Sequence, residues 1–96
     1  MKNFHSESVK GLFEALLLLE NVEECANFFE DICTVKEVQD IAQRLEVAKM
    51  LKEKKSYQTI SKETGASTAT ISRVNRCLLY GSGGYTKMLE KLEDAQ

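Results

Sequence analysis

The sequence predicts an all-α protein, and three observations support that prediction. The chain of 96 residues contains no proline, and aromatic residues make up only 7% of it. Leucine, alanine, glutamate and lysine are frequent, and these residues favour helix over strand. No run of alternating β-branched residues indicates a sheet. The length fits a single domain, residues 1–96, because domains commonly contain about 100–150 residues.

A first helix is predicted over residues 6–20, where apolar residues recur at helical spacing. Leu18 and Leu19 extend the apolar surface around to a second side of this helix. A single core in so small a chain does not readily cover such a helix. We therefore expect a homodimer interface here; the alternative is a central helix buried by its own chain.

The next two helices are predicted over residues 22–33 and from Thr34 to about Lys54. The second helix has apolar residues at i, i+3, i+4 and i+7 from Val22. The third begins with a capping box, in which Thr34 covers an early amide and Glu37 reaches back. Its apolar stripe is Val38, Ile41, Ala42, Leu45, Ala48 and Leu51.

Residues 56–78 are typical of a helix-turn-helix. Gly65 lies where the first motif helix must stop, because a residue just past a helix end often adopts left-handed geometry. Ser67 and Thr68 offer hydroxyl caps for the second motif helix. Four apolar positions allow the two helices to pack across the turn: Ile60, Ala66, Ile71 and Val74. A second helix presented in this way commonly enters the DNA major groove.

The motif helices are predicted at residues 57–64 and 67–80. Glycines at 81, 83 and 84 interrupt the helical pattern after them. A short amphipathic helix over residues 85–92 closes the chain.

The outward side of the second motif helix distinguishes DNA binding from a plain helical corner. Its residues are Thr68, Ala69, Ser72, Arg73, Asn75 and Arg76, and none is acidic. Serine, threonine, asparagine and arginine contact base edges and phosphates, whereas acidic side chains would be repelled. The alternative is a helical interaction module in which the motif docks a protein.

Charge is distributed unevenly along a chain whose net charge is −2. Residues 1–48 contain four basic and ten acidic side chains, and residues 49–87 contain eight basic and two acidic ones. Phosphate attraction is screened over about 8–10 Å in ordinary salt, so the charge of the local face matters more than the total. The basic part contains the predicted motif, which favours double-stranded DNA as the partner.

Other residues indicate no catalytic or metal chemistry. Cys25, Cys33 and Cys77 form no CxxC pair, and we expect them to be buried reduced thiols. His5 is the only histidine. No nucleophile–base pair or phosphate-binding glycine loop is present, so we expect no enzyme and no cofactor. The longest apolar run is too short for a signal peptide or a membrane span, which predicts a cytoplasmic protein.

The order of elements and the segment Gly-Ala-Ser-Thr-Ala-Thr-Ile-Ser-Arg at residues 65–73 resemble the tryptophan repressor superfamily of bacterial transcription regulators. Residues 36–78 align with that family without gaps. The resemblance implies a branch distinct from the tryptophan repressor itself. It also implies an intertwined homodimer that reads a near-palindromic operator, most simply as a repressor.

The resemblance assigns DNA contacts to both motif helices. Gln58 and Ser61 correspond to residues of the family's first motif helix that contact DNA. The start of the second motif helix is expected to contact the bases. Arginines and lysines are expected to contribute mainly phosphate affinity. The predicted DNA-binding residues are Lys54, Lys55, Gln58, Ser61, Ser67, Thr68, Ala69, Ser72, Arg73 and Arg76.

The family's ligand pocket maps onto four residues of this chain, two of which depart from the family pattern. Arg73 and Thr70 match a pocket arginine and threonine. Gln43 stands where the family has a second arginine, and Val74 stands where it has a glycine. A β-branched side chain in place of glycine would fill the slot for an indole ring. Tryptophan is therefore not expected as corepressor; another small effector and no effector both stay open.

Overall fold

The computed structural model describes residues 4–95. That part of the chain contains six α-helices and no strand, which confirms the all-α prediction. The helices are α1 (Glu7–Leu16), α2 (Val22–Ile32), α3 (Val35–Lys52), α4 (Tyr57–Thr64), α5 (Thr68–Tyr80) and α6 (Gly84–Asp94). The chain divides into two compact units, one ending at Val35 and the other beginning at Lys36. The single domain over residues 1–96 stays a prediction.

The first helix is shorter than the predicted 6–20, because the chain must leave it to start α2. Ser6 caps α1 by accepting a hydrogen bond from the Val9 amide at 3.3 Å. At the start of α2, the Asn21 side chain accepts from the Glu24 amide at 2.9 Å. The Glu24 carboxylate in turn accepts from the Glu20 amide at 2.9 Å. This reciprocal cap fixes Glu20 outside a helix.

The first unit buries no side chain of α1 or α2 in the single chain. Leu17 and Val22 are 83% and 85% exposed. The rings of Phe28 and Phe29 meet edge to face with centroids 5.9 Å apart. Both helices therefore expose apolar faces in the single chain, and exposed apolar faces of this kind commonly mark interaction surfaces.

The second unit has a core to which α3, α4, α5 and α6 all contribute. The buried apolar residues are Val47, Ala48, Met50, Ile60, Ala66, Ile71, Val74 and Leu89. All four apolar motif positions predicted from the sequence are among them. An ion pair of 3.2 Å between Lys52 and Glu93 joins the ends of α3 and α6.

Only the second part of the predicted α3 stripe is covered in the single chain. Val38, Ile41 and Leu45 are exposed in the single chain, whereas Val47 and Met50, which the stripe omitted, are buried. The core with Ile60 and Leu89 includes Ala48 from the stripe, has Leu51 packed against it, and extends to Val47 and Met50 beside them.

The end of α3 has the hydrogen bonds of a Schellman motif. The Lys54 amide donates to the Leu51 carbonyl at 3.0 Å, and the Lys55 amide donates to the Met50 carbonyl at 3.1 Å. Lys54 lies in the left-handed region with φ 68°. The helix therefore ends at Lys52, two residues before the predicted end.

The expectation of buried cysteines is wrong for Cys77. All three thiols are free; Cys25 and Cys33 are half-buried, and Cys77 is exposed. The core side of α5 runs through Val74 and the half-buried Leu78, which turns the neighbouring Cys77 away by about 100°.

None of the helices in the described part of the chain has the length and apolarity needed to cross a membrane.

Candidate nucleic-acid interface

The turn between α4 and α5 is fixed by hydrogen bonds around Gly65. This glycine has φ 78°, and its amide donates to the Ser61 carbonyl at 2.9 Å, which confirms its predicted role as the helix stop. The Ser61 hydroxyl donates to the Ala66 carbonyl at 2.8 Å. The Thr64 hydroxyl donates to the Ile60 carbonyl at 2.7 Å and accepts from the Ala66 amide at 3.1 Å. The turn geometry is thereby specified by side chains of α4 itself.

The first turn of α5 is capped by Ser67. Its hydroxyl oxygen accepts a hydrogen bond from the Thr70 amide at 3.1 Å, as predicted for a hydroxyl cap. The same hydroxyl donates a hydrogen bond to Thr70 Oγ1 at 3.1 Å. Thr68, which the sequence offered as a second cap, is instead the first residue of the helix. The start of α5 is thus held in helical geometry at the surface.

Opposite faces of α5 have different chemistry. Ile71 and Val74 are buried in the core. Ser72 is half-buried, and the other predicted contacts on this helix are exposed: Thr68, Ala69, Arg73 and Arg76. No acidic side chain occurs between Thr68 and Tyr80. The helix therefore presents small polar and cationic groups on a rigid apolar base.

A shallow cavity of about 360 Å³ joins α4 to the start of α5. The structure brings the predicted contacts Gln58, Ser61 and Thr68 together along its wall. Tyr57 and Lys62 also line it and were missed from the sequence. Lys62 follows Gln58 by four residues, a helical spacing that could have identified it.

Lys54 and Lys55 lie in the link between α3 and α4, and both are exposed. Lys55 is 3.7 Å from a Glu53 carboxylate oxygen, and an exposed pair at that distance contributes little stability. Ser56 caps α4 by accepting from the Thr59 amide at 3.1 Å. The two lysines therefore stand next to the first motif helix.

The four predicted pocket residues occupy different environments. The Gln43 side-chain amide donates to the Thr64 carbonyl at 3.1 Å. Val74 is 1% exposed in the core, whereas the adjacent Arg73 is at the surface. Thr70 is half-buried next to the Ser67 cap. Gln43 thus reaches the turn of the motif, and Val74 belongs to its apolar base.

Comparison with known proteins gives concordant results. The family described as Trp repressor protein matches residues 7–93. The uncharacterized protein YerC of Bacillus subtilis (strain 168) is 53% identical over 85 residues, which cover 88% of this chain and 82% of YerC.

Two crystal structures have the same fold. A TrpR-like protein from Eubacterium eligens superposes with a TM-score of 0.91 at 50% identity, covering 94% of this chain and 93% of that one. A putative Trp repressor from Staphylococcus aureus gives a TM-score of 0.90 at 51% identity, covering 94% and 90%. The chain therefore belongs to the Trp repressor family, in a Trp-repressor-like branch that is distinct from the tryptophan repressor itself.

Proposed function

We propose that this chain is a sequence-specific, dimeric, DNA-binding transcription regulator, most simply a repressor, with α5 as its recognition helix. The observation that carries the proposal is the outward face of α5, which has exposed threonine and arginine, a half-buried serine and no acidic residue, on the side away from the buried Ile71 and Val74. Membership in a family of regulators supports it and favours regulation over enzyme activity.

The contacts divide by chemistry. Thr68, Ala69 and Ser72 at the start of α5 carry base discrimination, at about 1–3 kcal/mol for each good base contact. Ser67 directly precedes them as the cap of α5, and Gln58 and Ser61 line the same cavity as Thr68. The cations Arg73, Arg76, Lys54 and Lys55 supply phosphate affinity, which does not depend on sequence.

The partner subunit in this proposal is a second copy of the chain. Support comes from α1 and α2, which bury no side chain alone and expose leucine and valine. A homodimer presents two recognition helices to successive major grooves about 34 Å apart, so the operator is near-palindromic.

We propose no tryptophan corepressor, because the buried Val74 side chain occupies the position where the family has glycine. The proposed compartment is the cytoplasm, where a bacterial regulator meets its DNA.

Selection of bound genomic fragments with the purified protein identifies the operator, and a salt titration then tests the mode of binding. We expect measurable affinity for random duplex that falls steeply with salt, and tighter binding to the selected fragments. A protein that binds no duplex at low salt would contradict the proposal and favour the helical interaction module.

A further inference from the structure

Gln43 connects α3 to the turn of the helix-turn-helix. Its side-chain amide donates to the carbonyl of Thr64, the last residue of α4, at 3.1 Å and across 21 positions of sequence. The other side-chain hydrogen bonds described for the turn join residues within five positions of each other. Gln43 therefore makes a tertiary contact where its neighbours make local ones.

The acceptor in this contact is one that a helix leaves unpaired. The last carbonyls of an α-helix have no amide four residues ahead within the helix. Gln43 supplies a donor to the final one of α4. A Cβ added to Gly65 would lie 3.9 Å from the same Gln43 nitrogen, so the amide packs against the left-handed residue that ends the helix.

The hydrogen bond adds a directional contact to the apolar packing of the core. Apolar contacts between Val47, Ile60 and Ile71 hold the motif on α3 but are not directional. An N–H···O bond weakens steeply when its angle falls below about 120°. A tilt of α4 and α5 relative to α3 would therefore break the Gln43 hydrogen bond as well as disturb the core.

We propose that Gln43 is a positioning residue that holds the recognition helix at its DNA-reading angle, and that the chain consequently binds its operator without a small-molecule effector. The inference rests on the proposed function. The closed packing under α5 agrees with it, since Val74 and Ile71 leave the helix seated directly on the core.

The test compares Gln43→Ala and Gln43→Glu with the wild type, and it uses Gln39→Ala as the matched control. Glutamate keeps the size of the side chain but at neutral pH cannot donate to the Thr64 carbonyl. Gln39 lies one turn earlier on α3 and is exposed. Circular dichroism and denaturant unfolding verify that each variant is folded.

We expect both Gln43 variants to bind the selected operator about threefold to tenfold more weakly than wild type, the range of one lost hydrogen bond. For Gln43→Ala, binding to random duplex and its salt slope stay unchanged, because no phosphate contact is removed and no charge is added. Gln43→Glu adds a negative charge, so this comparison of the two kinds of binding uses Gln43→Ala alone. A variant that was merely less folded would instead lose both kinds of binding in proportion.

The effector is tested with the wild type. We expect native mass spectrometry to find no retained small molecule and the same preparation to bind the operator. Operator binding that needs an added small molecule, or Gln43 variants that match Gln39→Ala, would overturn the inference alone. A wild type that binds no duplex would remove the proposed function and the inference with it.

Discussion

Lys54 has a left-handed backbone conformation, which is unfavourable for a residue with a side chain. Its φ of 68° places it at the Schellman position where glycine is usual, and the left-handed region costs a non-glycine residue about 1–2 kcal/mol. Strained residues of this kind occur often at functional sites. A lysine here adds positive charge next to α4 at the expense of stability.

We expect Lys54→Gly to stabilise the fold by about 0.5–1 kcal/mol, because the relief of strain exceeds the entropic cost of glycine. Urea unfolding measures this difference. Lys54→Ala, which removes the same charge and keeps the strained φ, is not expected to gain stability.

The two Lys54 variants should bind DNA equally. Each loses one cation, so binding to every sequence weakens by a similar factor and the salt slope falls by about one. A change of sequence preference in either variant would show that Lys54 reads bases rather than phosphates.

Thr68 is the residue of α5 that borders the cavity between the motif helices. Thr68→Val keeps the side-chain shape and removes the hydroxyl. We expect a loss of about 1–3 kcal/mol in discrimination at one base pair, with the salt slope unchanged. Competition between operator variants measures it. Thr86→Val on α6 is the control, and an equal effect there would refute the assignment.

At the start of α5, substitutions of the cap residue Ser67 distinguish its contribution to stability from its contribution to DNA binding. Ser67→Ala should cost about 1 kcal/mol of stability and fray the first turn that holds Thr68 and Ala69. Ser67→Asp keeps a good cap and suits the helix dipole, so its stability should equal or exceed that of the wild type. Its negative charge faces the phosphates, and DNA binding should be lost. Thermal unfolding and binding assays measure the two effects; retained binding by Ser67→Asp would place Ser67 away from the DNA.

The sequence predicted the buried residues of the helix-turn-helix better than those of α3, the helix against which the motif packs. Ile60, Ile71 and Val74 all pack into the same hydrophobic core, so the spacing of apolar residues alone predicts that they are buried. In α3 the apolar residues serve more than one face, and a single stripe cannot tell Leu45, which is exposed, from Val47, which is buried.

The contact of Gln43 could not be predicted. A pairing across 21 positions leaves no periodic signal, and glutamine is ordinary on a helix surface. Local caps differ, since Ser56 and Ser67 pair with amides three residues ahead. Sequence spacing therefore predicts local hydrogen bonds and misses tertiary ones.

At the scale of the whole molecule, the proposed homodimer depends on the apolar surface of the first unit. Leu17 lies just after α1 and is exposed in the single chain. Leu17→Glu should weaken a homodimer, and Ser8→Glu on α1 adds the same charge as a control. Sedimentation equilibrium is expected to give twice the chain mass for the wild type and the control, with dissociation of the variant at low concentration. A wild type that sediments as one chain would refute the dimer.

In the proposed homodimer, the apolar faces of α1 and α2, which have no fully buried side chain in the single chain, become covered only when the chain meets a second copy. At low abundance, the yield of finished regulator then follows the square of the number of chains made. Halving synthesis would remove about three quarters of the finished product by this mass action. For the proposed regulator, the exposed apolar faces of α1 and α2 would therefore make control of the target genes respond more steeply than the supply of the protein.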